Sequence, residues 1–218
     1  MSSKFIIIRV LLFVLLVVGT TSAMIAQDND FATWTKFKVN HKIDSRFAVS
    51  GDLELRTEDD MSAIDRWGIS VGGDYRAFSF LKFEIGYETH YRNLGEIGWK
   101  FRHRYRIGAT ASFRYQWLKM SLRERFQQTF DRGESETRLR SRLKLGYAPQ
   151  KGIVSPYFSI EIYQSLDAAP FWRTARLRYR PGIEIDLTKR WSLDAFYCYQ
   201  YESSRGKHIA GVEVGYSF

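Results

Sequence analysis

Residues 99–111 read WKFRHRYRIGATA and alternate without a slip. Trp99, Phe101, His103, Tyr105, Ile107 and Ala109 hold one set of positions, and Lys100, Arg102, Arg104, Arg106 and Gly108 hold the other. Successive side chains of a strand point to opposite faces, so this stretch is a β-strand with one largely apolar face and one cationic face. The scheme recurs along the chain. Leu139, Leu143 and Leu145 stand against Arg138, Arg140, Arg142 and Lys144, and Leu177, Tyr179, Ile183 and Ile185 against Arg176, Arg178, Arg180, Glu184 and Asp186. Eleven segments follow it, at 34–43, 46–57, 65–76, 80–92, 98–112, 117–130, 136–147, 154–164, 173–187, 191–202 and 207–218. Turn-like breaks such as NLGEIG, DRGES and SSRGK separate them, with no helical-period stretch and no Pro/Ser-rich linker. One all-β antiparallel domain is predicted.

Alternation does not by itself say which face is wet. A soluble barrel keeps its apolar face inside, whereas a membrane barrel turns it to lipid. Several segments run 12 to 15 residues, longer than the ~5–6 of soluble strands and sufficient for the ~9–11 of a tilted membrane strand. The polar face carries more arginine than contact with bulk water requires. All six tryptophans fall near strand starts. Hairpin order puts Trp117 and Trp191 on one rim and Trp67, Trp99 and Trp172 on the other, as aromatic girdles at two membrane interfaces demand. The membrane reading follows: a transmembrane antiparallel up-and-down β-barrel.

The N-terminus agrees with export. Lys4 and Arg9 precede the apolar run Val10–Val18 and the small residues Gly19–Ala23, the pattern of a secretory signal peptide. Residues 1–26 are expected to be removed, with cleavage after Ala23 as the second choice, leaving 27–218 as a single barrel domain. No cysteine follows either site, so a lipid-anchored start is not expected. Without Lys4 and Arg9, 31 basic residues stand against 24 acidic ones. Cys198 is the only cysteine and precludes an internal disulfide, and its inward parity predicts a buried, inert thiol.

The C-terminal GVEVGYSF places Val212, Val214, Tyr216 and Phe218 on one face. It resembles the targeting strand of Gram-negative outer-membrane barrels, which ends in Phe behind alternating apolar residues. That resemblance implies that Val214, Tyr216 and Phe218 address the chain to barrel-assembly machinery. It also implies residence in the outer membrane, among lipid and lipopolysaccharide. WTKFKVNHKIDSRFAVSGDLELR, residues 34–56, resembles a family of outer-membrane barrels filed under a domain of unknown function. The family implies a fold and no activity. Bacterial single-chain barrels have even strand numbers, so eleven segments present a parity problem. About twelve strands are expected, with ten as the alternative and residues 27–33 as a candidate extra pass.

With the apolar face outward, the other face lines a lumen. Arg102, Arg104, Arg106, Arg123, Arg125, Arg138, Arg140, Arg142, Arg176, Arg178 and Arg180 form a basic wall on the fifth to ninth segments. Glu54, Glu84, Glu88 and Asp194, with Asp52, Glu202 and Glu213, form an acidic one elsewhere. Two readings stay open: a narrow channel for small anionic solutes, drawn by fixed cations, and a non-conducting structural or interaction barrel filled by Arg–carboxylate pairs.

Enzymatic motifs are sparse. His41, His90, His103 and His208 show no metal-ligand spacing, and neither a metal nor a cofactor is expected. Ser141, His103 and Glu124 fall on the outward parity of three successive strands, a weak alternative for a membrane-embedded lipid hydrolase. A bulge near RERF that turns Glu124 inward is the plainer expectation. The alternating aromatics and arginines of FRHRYR could mimic a single-strand nucleic-acid platform, but export and strict in/out parity speak against nucleic acid.

Overall fold

The computed structural model describes residues 30–131, 133–147, 149, 152–167, 171–202 and 205–218. The expected signal peptide, its cleavage sites and residues 27–29 lie outside the described residues. Eleven strands follow one another, β1 Asp30–Lys42, β2 Phe47–Glu58, β3 Ala63–Arg76, β4 Leu81–Asn93, β5 Trp99–Tyr115, β6 Leu118–Asp131, β7 Glu134–Tyr147, β8 Val154–Ser165, β9 Arg173–Asp186, β10 Trp191–Glu202 and β11 Arg205–Ser217. They close into a barrel in which each strand pairs with its sequence neighbours and β1 meets β11.

The parity problem is resolved at that seam. Hairpin-linked strands alternate in direction, so the first and last of an odd set run the same way, and a closed odd barrel must contain one parallel pair. β1 and β11 supply it, in register from Asp30 opposite Lys207 to Asn40 opposite Ser217. The count among the described residues is therefore eleven, beside the about twelve or ten expected from the even-number rule. Asp30–Thr33 extend β1 and do not make a separate pass. The chain end is tied on both sides, by Ser217 N–H donating to the Arg190 carbonyl at 2.8 Å and Phe218 N–H to the Asn40 carbonyl at 3.0 Å.

The two rims differ. One, here the N-terminal rim, carries the start of β1 and the connections after β2, β4, β6, β8 and β10. The other, the C-terminal rim, carries Phe218 and the remaining connections. In the β1–β2 turn, the Asp44 carboxylate accepts N–H bonds from Arg46 at 2.6 Å and Phe47 at 2.7 Å. Those bonds, that from Phe47 foremost, hold its pKa below the ordinary value of 3.8.

The faces sort by chemistry. Large apolar side chains such as Leu53, Val71, Ile85, Ile107 and Leu122 are exposed on the outside, while Ser70, Ser159, Glu161 and Arg178 are buried inside. In water this would be inverted; a continuous apolar exterior belongs in hydrocarbon. A 13-residue strand such as β4, rising ~3.4 Å per residue at a tilt of ~40°, covers roughly 34 Å, more than the ~25 Å apolar band of such barrels. Trp117 and Trp191 stand exposed by the C-terminal rim, and Trp67, Trp99 and Trp172 by the N-terminal rim. Trp191 packs against Phe37 and Tyr216, and Trp67 stacks on Tyr91 at 5.1 Å between centroids.

Candidate functional site

The lumen is the chemically distinctive part of the molecule. Every strand contributes its polar parity to it, and the cations and carboxylates pair along and across the wall. Arg125 meets Glu84 at 2.5 Å, Arg102 meets Asp131 at 2.8 Å, and Arg104 meets Glu88 at 3.3 Å. Arg176 forks onto Glu202 with bonds of 2.8 and 2.6 Å. Arg180 reaches both Asp194 at 2.8 Å and Glu213 at 3.1 Å, and donates its Nε–H to the Tyr157 hydroxyl, which itself donates to Asp194. Arg106 lies between Asp52 and Glu88, at 4.0 and 3.9 Å. It can lie flat on the wall because residue 86 is glycine; a Cβ there would overlap the Arg106 side chain.

The densest node centres on Glu161 of β8, which the reading of the sequence did not single out. Its side chain is 2% exposed. Arg140 donates to both its oxygens at 2.6 and 2.8 Å. Arg123, Arg142 and Arg178 stand at 3.7, 3.8 and 3.7 Å. Four guanidinium groups thus share one buried carboxylate, which offsets their mutual repulsion. The sequence signal was present: Phe158, Ile160 and Ile162 mark the outward parity of β8, which makes Tyr157, Glu161 and Tyr163 inward. The basic wall carries its own carboxylate at its centre, and most other pairs join strands one or two apart.

Trp34, the one tryptophan assigned to neither rim, shares inward parity with Lys36 and Lys38 and sits in the lumen between Arg56, 3.8 Å from its ring centroid, and Arg178, at 4.6 Å. Cation–π contact of this kind gains strength where water is scarce. Beside it Ala32, Phe196, Cys198 and Ile209 form a small apolar cluster, with the Arg180 guanidinium 3.4 Å over the Phe196 ring. Cys198 is fully buried there.

Three cavities follow one another down the lumen. A vestibule of about 1050 Å³ opens at the N-terminal rim and one of about 940 Å³ at the C-terminal rim. Between them lies a cavity of about 110 Å³, lined among others by Trp34, Arg138, Arg140 and Glu161. Lys36, Arg106, Arg123, Arg142 and Arg180, with their carboxylates, occupy the waist.

The outward trio is not brought together. Ser141 donates to Glu124 at 2.6 Å, but Glu124 faces Ala109, while His103 faces Phe130. Six residues of β5 separate those levels, about 20 Å at ~3.4 Å per residue. The stagger between β5 and β6, invisible to a count from the turns, sets this distance. No bulge occurs at Glu124 either; the β5–β6 register runs unbroken, and the carboxylate keeps its outward parity. Irregularities fall instead at Arg56/Thr57 and Tyr163/Gln164. Among the described residues no group of three or more His, Cys, Asp or Glu could hold a metal ion.

An apolar exterior, two aromatic rims and a charged interior define a transmembrane-type β-barrel. The chain belongs to the family described as "Protein of unknown function (DUF2490)", whose model matches residues 31–209. Among solved structures, the translocator domain of autotransporter NalP from Neisseria meningitidis is similar at 14% identity, covering 78% of this chain and 73% of that one, with a TM-score of 0.46. No curated protein matches.

Proposed function

We propose that this chain is an outer-membrane β-barrel whose lumen is sealed at the waist, a non-conducting barrel that offers each compartment its own vestibule. The observation that carries this is the Glu161 node: four arginines drawn onto one buried carboxylate, beside a mid-lumen cavity of only about 110 Å³. The exterior supports lipid and lipopolysaccharide as its surroundings. The seam supports Val214, Tyr216 and Phe218 as the segment read by assembly machinery, since their strand pairs with β1 where the barrel closes. Recording from purified protein inserted in planar bilayers tests the reading, and no unitary conductance is expected.

The rival reading, a narrow channel for small anions, draws on the surplus of lumen cations. Regular anion-selective steps, weakened or reversed when Arg102, Arg140 and Arg178 are changed to Glu, would establish it and overturn the sealed waist.

A further inference from the structure

The small cavity above the waist is built for an anion. Nine Lys and Arg side chains line it against four glutamates. Several of those cations lean on carboxylates elsewhere: Arg104 on Glu88, Arg176 on Glu202, Arg180 on Asp194. Three of the lining cations, Arg56, Arg138 and Arg140, keep a buried Nε–H that makes no hydrogen bond among the described residues. Of these, Arg56 has the Glu54 carboxylate against its Nε at 2.8 Å, which leaves Arg138 and Arg140 with donors to spare. Among the described residues Arg138 pairs only with Glu136, whose side chain is 48% exposed, and Arg140 spends its Nη2 on Glu161. A buried donor without an acceptor is costly, and a buried surplus of like charge more so. A ligand with several anionic oxygens relieves both at once.

Size and access narrow the class. The cavity, at about 110 Å³, is several times the ~10–15 Å³ that a single water needs, room enough for one small tetrahedral oxyanion. Arg138, Arg140 and Arg178 offer planar forks, which match phosphoryl oxygens better than a point charge does. Arg138 and Arg178 also line the N-terminal vestibule, so the cavity is fed from that rim and ends against the waist.

We propose that this cavity is a binding site for a phosphate-type oxyanion, either the free ion or the phosphoryl group of a larger solute seated in the N-terminal vestibule. The site deepens the sealed-barrel reading by naming the ligand class of the same lumen. The test is calorimetric titration of inorganic phosphate into refolded protein at low ionic strength, with heat-modifiable gel migration confirming the fold of each variant. Saturable binding is expected in wild type. Arg138→Gln should weaken it about tenfold or more, Glu136→Gln should tighten it, and Arg114→Gln in the opposite vestibule should leave it unchanged. Glucose 6-phosphate separates the sources: binding by both probes supports a phosphorylated solute, and binding by phosphate alone supports the free ion. No saturable binding in folded wild type overturns the site, as does binding that Arg138→Gln leaves intact or that chloride displaces equally well. A barrel that conducts yet binds phosphate overturns the sealed waist alone, and a silent barrel that does not bind overturns the site alone.

Discussion

Glu161→Gln is the most informative single change. It removes the charge and keeps the shape. Glu161 is 2% exposed, and the side chains around it, from Arg178 at 6% to Arg142 at 22%, are all well inside the wall. Taking away one partner of a buried ion pair costs about 3–5 kcal/mol, because the other charge is stranded. Here four guanidinium groups are stranded together, so the upper part of that range is expected. Urea unfolding in lipid vesicles, followed by tryptophan fluorescence, reads the loss as a lower midpoint at unchanged slope. A second change then isolates the cause. Arg123 makes no direct hydrogen bond to Glu161 and offers only charge at 3.7 Å. In the Glu161→Gln background Arg123→Gln relieves repulsion, so the double variant should recover roughly 1 kcal/mol or more relative to additivity. Glu161→Gln within about 0.5 kcal/mol of wild type, the ordinary range for a surface change, would refute the view that this carboxylate holds the waist.

Other positions test other levels. Ile85, 65% exposed in the middle of β4, should lose about 2–4 kcal/mol on change to Arg if it faces hydrocarbon, while a water-facing site would tolerate the change; vesicle refolding yield distinguishes them. Glu124 points to the same exterior, so Glu124→Leu should leave urea stability equal or higher, and a marked loss would mean that its bond with Ser141 matters more than its burial in lipid. Gly211→Val would push a side chain into the Phe196 ring, an overpacking worth about 1–3 kcal/mol that Phe196→Ala should largely relieve. The depressed Asp44 carboxyl contributes stability that is complete above its unfolded value, about 3.9, and is lost as pH falls through the lower folded one. The protection of the Phe47 amide, measured relative to its intrinsic exchange rate, should therefore fall only in acid below that range, and Asp44→Asn should flatten the pH dependence.

What was legible in the sequence was what depends on period two. Strand limits came within a few residues because hydrophobic and charged positions alternate through each strand and break at the turns, so β10 was read as 191–202 and is Trp191–Glu202. Non-local choices were not legible. The partner of β1 is fixed by hydrogen bonds between residues some 177 positions apart, as for Asp30 and Lys207, and no local pattern encodes whether that pairing is parallel. Stagger between β5 and β6 is similarly silent, so parity put His103 and Glu124 on one face without fixing the distance between them. Glu161 was overlooked because its strand carries no arginine and reads as aromatic and aliphatic, although its parity already pointed inward. Trp34 was read only as lying near a strand start and was assigned to neither rim, although its alternation with Phe37 and Val39 marked it as a lumen residue.

The parallel seam gives the barrel a sidedness that even-numbered barrels lack. In an even barrel both ends of the strand set leave through the same side of the membrane. Here Asp30 and Phe218 stand at opposite rims, so the two ends of the barrel report to different compartments. A reporter joined just before Asp30 and one joined at Phe218 would sample opposite faces of the bilayer, and a surface-labelling reagent added from outside would reach one end and spare the other.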